Sequence, residues 1–198
     1  LRKTRFFYME ELHSLELQPL QDAPRHALKK TIKYFGKKYD TPVYKVDFVK
    51  AHHASQFYSA SMQDDSPIKF KHIIADCKFE VPILWEMLKC AVGRSRHTAA
   101  GLMVALLDDV QRLSEEKLRF VSSKRDELRR EIIELLGEDG LLIFPAWPTV
   151  APFHNQSLFT PFNFAYTGLF NSLRLPVVVC PLGFNSEGVP TAVQIVAS

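Results

Sequence analysis

The sequence predicts an α/β fold: a mixed β-sheet flanked by helices on both faces. Three observations carry this expectation. The N-terminal quarter alternates strand-like and helix-like patterns, in the order strand, helix, strand. A long amphipathic stretch fills the third quarter. The last third holds three short, nearly all-apolar runs, "LLIF", "PVVVC" and "TAVQIVA", the pattern of strands covered on both faces.

Taken in order, Thr4 to Met9 is rich in β-formers between charged flanks and reads as a strand. Pro19 and Pro24 mark the loop that follows. Ala27, Leu28, Ile32 and Phe35 recur at helical spacing until Gly36, which offers a stop. "TPVYKVDF" alternates Val43, Tyr44, Val46 and Phe48 with polar residues and reads as the second strand, and a helix is expected from Phe48 to Met62, ending near Ser66 and Pro67. Across residues 82–107 the apolar residues cluster on either side of "GRSRH", as in two short helices joined by a basic turn. The segment is too interrupted to span a bilayer. From Val110 to Leu135 the apolar residues Val110, Leu113, Leu118, Val121, Leu128, Ile132 and Leu135 recur mostly every three or four positions, with Glu115–Arg119 and Asp126–Arg130 as i,i+4 pairs, so one long helix closed by Gly137 is expected. Leu141 to Phe144, Pro176 to Cys180 and Thr191 to Ala197 are the remaining strands.

The 198 residues, 46% hydrophobic, suffice for one sizeable core. The 25 basic and 22 acidic side chains are interspersed and leave a formal charge of +3, without the basic stripe that nucleic acid requires. Cys77, Cys90 and Cys180 are too few and too widely spaced for a disulfide framework or a zinc site, and read as reduced, buried thiols. The first twelve residues lack the apolar core of a secretory signal. There is no GxSxG elbow, no phosphate-binding GxxxxGK[ST] loop and no GxGxxG, so no cofactor is expected. The seven histidines show no HExxH and no i,i+4 pair, so no metal site is expected either. Ser123 beside Lys124, and the acid pairs Asp64–Asp65 and Asp108–Asp109, are read as solvated or helix-end residues rather than catalytic ones.

The C-terminal third carries a more specific pattern. Pro145, Pro148 and Thr149 end a strand; Thr167 and Asn171 are spaced Thr-x-x-x-Asn; Pro176 leads a strand closed by Pro181; Gly188, Pro190 and Gln194 follow. In this spacing and order the chain resembles the last part of the amidase signature enzymes, and "TRFFYMEE" and "FKHIIADCKFEVPILWEMLKCAVG" resemble earlier segments of lipid-directed members.

The resemblance implies part of the amidase signature fold, with residues 1–198 as the C-terminal portion of a single amidase domain and residues 82–107 as an apolar helix-pair cap within it. It implies an intracellular, membrane-associated serine hydrolase acting on amide or ester bonds of lipids such as fatty-acid amides. The family's Ser, cis-Ser and Lys catalytic unit has no counterpart in this sequence, so no catalytic residue is assigned and the chain alone is expected to be inactive. Thr167, Phe170, Asn171, Phe162 and Phe164 are expected to line the substrate cleft. Leu84, Trp85, Leu88, Leu102 and Met103 are expected to face a membrane. The implied partners are a lipid amide substrate, a membrane surface, the N-terminal catalytic part of the same enzyme and a second copy in a homodimer. The competing expectation is an inactive membrane- or partner-binding module derived from an amidase. If "FFYM" or "VVVC" lacks its neighbouring strand, an exposed sheet edge is expected.

Overall fold

The computed structural model describes residues 4–65 and 68–198. Ser66 and Pro67, where the second helix is expected to end, lie outside them, and so do the side chains of Asp64 and Asp65. The chain forms two compact units, one from residues 1–58 and 121–198 and one from residues 59–120.

The first unit is built on a mixed five-stranded sheet of order β2-β1-β3-β5-β4. Its strands are β1 (Arg5–Tyr8), β2 (Val43–Lys45), β3 (Gly140–Pro145), β4 (Val177–Phe184) and β5 (Pro190–Val196). β1 pairs in parallel with β2 and β3, while β5 runs antiparallel to both β3 and β4. Helix α1 (Asp22–Tyr39) connects β1 to β2 and covers one face, where Leu28, Ile143 and Val193 form a core joined by Tyr8, Ile32, Phe35, Val43, Cys180 and Leu182. The pleat sends Leu142, Phe144 and Gln194 to the opposite face. There Phe144 packs under Tyr166 and Phe170 of α7 (Ala165–Ser172), at ring-centroid distances of 5.2 and 5.5 Å. Helix α6 (Glu115–Leu136) buries Val121, Leu128, Ile132 and Leu136 and is tied to the end of α7 by Arg129 Nε, which donates to the Leu173 carbonyl at 2.9 Å.

Several elements depart from the pattern read in the sequence. Helix α1 runs through Gly36 to Tyr39. Tyr39 stacks on Phe6 and Phe35, and that packing outweighs the roughly 1 kcal/mol that an interior glycine costs a helix. Strand β2 ends at Lys45, and a 3-10 segment, Val49–His53, precedes α2 (Ala54–Asp65). The expected single helix after Val110 is divided. Both backbone groups of Leu113 are taken by the Gln63 side chain, its Nε2 donating to the carbonyl and its Oε1 accepting from the N–H, each at 2.9 Å. A residue so engaged cannot continue the helical ladder, and Ser114 starts α6 by accepting from the Leu118 N–H at 2.8 Å.

The second unit holds α3 (Phe70–Ile73), α4 (Ile83–Ala91) and α5 (Ala99–Gln111), with residues 92–98 forming the basic turn between the last two. Thr98 caps α5, its Oγ1 accepting from the Gly101 N–H at 3.1 Å. The core of this unit is Ala75, Val81, Ile83, Leu102 and Ala105. Around it, Lys71 joins Glu80 and Asp109 in one ion-pair cluster, and Lys69 reaches Asp109 at 3.3 Å. Cys77 stands exposed rather than buried, because it lies in the turn after α3 at φ 58°, while Cys90 and Cys180 are half-buried.

Candidate substrate-cleft wall

Parallel strands β1 and β3 release their chains at the same edge of the sheet, where residues 9–21 and 146–164 form adjoining loops. Carboxyl-end loops of this kind are where ligands bind in open α/β sheets. Hydrogen bonds stitch the two loops together. Asn163, 1% exposed, accepts from the Gln18 N–H at 3.1 Å through Oδ1 and donates to Gln18 Oε1 at 2.8 Å through Nδ2. The Gln21 N–H donates to the Pro148 carbonyl at 2.8 Å, and Gln21 Oε1 accepts from the Val150 N–H at 3.3 Å. At the base of the first loop, Glu10 accepts from Lys45 at 2.9 Å and is also paired with Arg25. The Lys45 hydrogen bond is the main reason the Glu10 carboxyl titrates below the usual carboxylate range.

Two buried polar residues fix α7 against this edge. Gln194 Nε2 donates to the Pro145 carbonyl at 2.9 Å and to the Tyr166 carbonyl at 3.0 Å, joining β5, the end of β3 and α7. Tyr166 is fully buried, and its hydroxyl oxygen accepts from the Leu12 N–H at 3.3 Å. Burial pushes that hydroxyl up to about 12, so it stays protonated through the physiological range.

The five expected cleft residues separate into two groups. Phe164, Thr167 and Asn171 follow one another at helical spacing along one side of α7. Phe164 is half-buried with its ring 4.9 Å from that of Tyr58, Thr167 is half-buried with Oγ1 donating to the Phe164 carbonyl at 3.0 Å, and Asn171 is exposed. Gly168 lies on the same side, and a Cβ there would meet Tyr58 at 2.9 Å, so glycine permits this close approach. Phe162 is half-buried just upstream. Phe170 is a correction: it is 1% exposed and packs edge-on against Phe144, so it belongs to the sheet-facing stripe with Tyr166, Leu169 and Leu173. Sequence reasoning misses Asn163 and Tyr166 as anchors, and only the polar Asn163 between two phenylalanines signals the first of them.

The other sequence candidates resolve to structural contacts. Lys124 is paired with Glu127, at 2.9 and 3.0 Å from its two carboxylate oxygens. Asp108 accepts from the Phe70 N–H at 2.9 Å, and Asp109 accepts from Lys71 at 2.8 Å. Among the described residues no group of three His, Cys, Asp or Glu is placed to hold a metal ion.

In the second unit, Leu84, Trp85, Leu88 and Val92 form an exposed apolar stripe along α4. Lys89 lies 5.8 Å over the Trp85 ring, and Arg94 and Arg96 are exposed in the adjoining turn. Leu102 is a second correction, because its 0% exposure places it in the unit's own core, and Met103 is half-buried. Among the described residues no helix is long and apolar enough to cross a membrane.

The chain belongs to the amidase signature family, as its relatives and the fold it shares with solved amidases show. It is 34% identical over its whole length to fatty-acid amide hydrolase 2-A of Danio rerio, of which it covers 38%, and 44% identical over 131 residues, 66% of the chain, to fatty-acid amide hydrolase 2 of Homo sapiens, of which it covers 25%. Its fold matches the allophanate hydrolase of Kluyveromyces lactis with a TM-score of 0.64 at 14% identity, covering 100% of this chain and 30% of that one. The chain thus spans a quarter to two fifths of the length of the relatives it matches. No family model matches it.

Proposed function

We propose that the chain supplies sheet and one cleft wall to a serine amidase that hydrolyses fatty-acid amides, with the nucleophile contributed by polypeptide outside these 198 residues. The observation that carries this reading is the similarity to fatty-acid amide hydrolase 2-A along the whole chain. Phe162, Phe164, Thr167 and Asn171 are its cleft residues, the aromatic rings meeting an acyl chain and the two polar groups meeting the amide end. Phe170 supports the wall from behind. Strand β4 is the seam to the catalytic part: it is the end strand of the sheet, and it exposes Val178, Val179 and Phe184, apolar side chains that an adjoining strand or helix would cover. The polypeptide expressed from the natural transcript, with any sequence that precedes Leu1, is expected to release fatty acid from a long-chain primary amide and to react with a fluorophosphonate. Absence of both reactions in soluble protein would contradict the proposal.

The exposed α4 stripe supports a membrane-facing role for Leu84, Trp85 and Leu88, with Lys89, Arg94 and Arg96 placed to meet anionic headgroups. The same stripe supports the second reading, an inactive membrane- or partner-binding module, which predicts membrane binding without turnover. It is also a surface through which two copies could pair. Double replacement of Trp85 and Leu88 by glutamate is expected to lower co-sedimentation with phosphatidylserine-containing vesicles roughly tenfold or more, since two exposed apolar side chains lose their burial. Unchanged co-sedimentation would remove the membrane assignment.

A further inference from the structure

In the first unit, residues 9–21 pass beside the 3-10 segment Val49–His53, and one contact between them is titratable. The His13 backbone N–H donates to Nδ1 of His52 at 3.1 Å. An accepting Nδ1 fixes the neutral tautomer with its proton on Nε2, and that nitrogen lies 3.4 Å from Asp47 Oδ1. The His13 ring stands edge-on to the His52 ring at a centroid distance of 5.1 Å. The His52 side chain is largely covered, with 16% of its area exposed.

We infer that His52 is a pH-sensitive clasp, holding the loop of residues 9–21 to the 3-10 segment when neutral and releasing the His13 amide when protonated. Protonation places a hydrogen on Nδ1 opposite the His13 N–H. A donor then faces a donor, and the bond is lost. The titratable groups around the ring act in both directions. Burial opposes the imidazolium most, Asp47 favours it, and His13 and His53 oppose it. The net effect holds His52 below the usual imidazole range. The stability contributed by the clasp is therefore complete above the unfolded histidine value of about 6.5 and is lost as pH falls through the lowered folded value.

The rest of the loop is held by separate contacts. Ser55 Oγ donates to Glu16 Oε2 at 2.6 Å, and the two Gln18–Asn163 hydrogen bonds anchor the far end. Opening is thus local to residues around His13. It matters for the cleft wall because the preceding residue, Leu12, donates to Tyr166 at the start of α7.

The test is nuclear magnetic resonance on the whole 198-residue chain between about pH 5 and 8, following the His52 ring nitrogens and the exchange of single amides relative to their intrinsic rates. The expected result is an Nε2-protonated His52 at the upper end. Protection of the His13 amide should fall about tenfold as His52 titrates, while the Gln18 amide keeps its protection. The His52→Asn variant places a non-titrating amide oxygen near the Nδ1 position and should keep the His13 amide protected at low pH. His13 protection that stays flat through the His52 titration, or that falls equally in His52→Asn, would overturn the inference.

Discussion

Replacement of Gln194 by leucine is expected to destabilise the chain by about 1–3 kcal/mol, read as a lowered midpoint in chemical denaturation. Leucine approximates the volume of glutamine, so the packing loss is small. The loss is polar. One buried amide nitrogen serves the carbonyls of Pro145 and Tyr166; the Tyr166 carbonyl lies within α7 and keeps its helical partner, so the loss falls chiefly on the Pro145 carbonyl, in a site that is 2% exposed. Each buried, unpaired carbonyl costs roughly 1–3 kcal/mol. The same bonds hold α7 to the end of β3, so local exchange around Tyr166 should also rise in the variant. A loss below about 1 kcal/mol would mean that water or a shifted backbone satisfies the Pro145 carbonyl, and Gln194 would then not be the anchor of the wall.

Gly140→Ala is expected to cost about 3 kcal/mol, at the upper end for an overpacked site, because the new methyl has nowhere to go. A Cβ at Gly140 would lie 2.4 Å from the Leu136 carbonyl oxygen and 2.5 Å from the Leu136 Cα, both backbone atoms. The turn between α6 and β3 is pinned on each side and cannot yield easily. The Gly137 N–H donates to the Ile133 carbonyl at 2.8 Å with Gly137 at φ 54°, and Arg5 Nη2 donates to the Leu136 carbonyl at 3.0 Å. The same substitution at Gly36 should have the opposite sign. There the Cβ would meet the Thr41 carbonyl at 3.5 Å, an ordinary contact inside a helix, and alanine gains about 0.5–1 kcal/mol over glycine. Thermal melts of the two variants therefore separate a steric requirement for glycine from a merely tolerated one.

The strands of this fold are legible because their signal is local: "RFFY", "LLIF", "VVVC" and "AVQIV" are short apolar runs, and each lies within a strand. The mixed sheet with helices on both faces follows from them. The helix divided at Leu113 is not legible, since its cause is a side chain fifty positions away, Gln63, that takes both backbone groups of one residue. The burial of Leu102 is hidden for another reason. Helix α5 is apolar on nearly every side, so periodicity does not say which face meets Ala75 and Val81. Phe170 is within reach of the sequence, because Tyr166, Leu169, Phe170 and Leu173 make an apolar stripe at helical spacing that leaves Phe164, Thr167 and Asn171 on another side. The family motif locates α7 correctly and is silent on which of its sides meets the sheet.

The central claim is that these 198 residues can serve as the wall of a fatty-acid amide hydrolase whose nucleophile lies elsewhere. It is tested most directly by grafting the chain in place of the matching segment of fatty-acid amide hydrolase 2-A of Danio rerio, with which it aligns along its whole length. The account predicts a hybrid that reacts with a fluorophosphonate at the relative's own serine and releases fatty acid from a long-chain amide. A hybrid that is soluble and unfolds cooperatively, yet neither reacts with the probe nor turns over the amide, would contradict it.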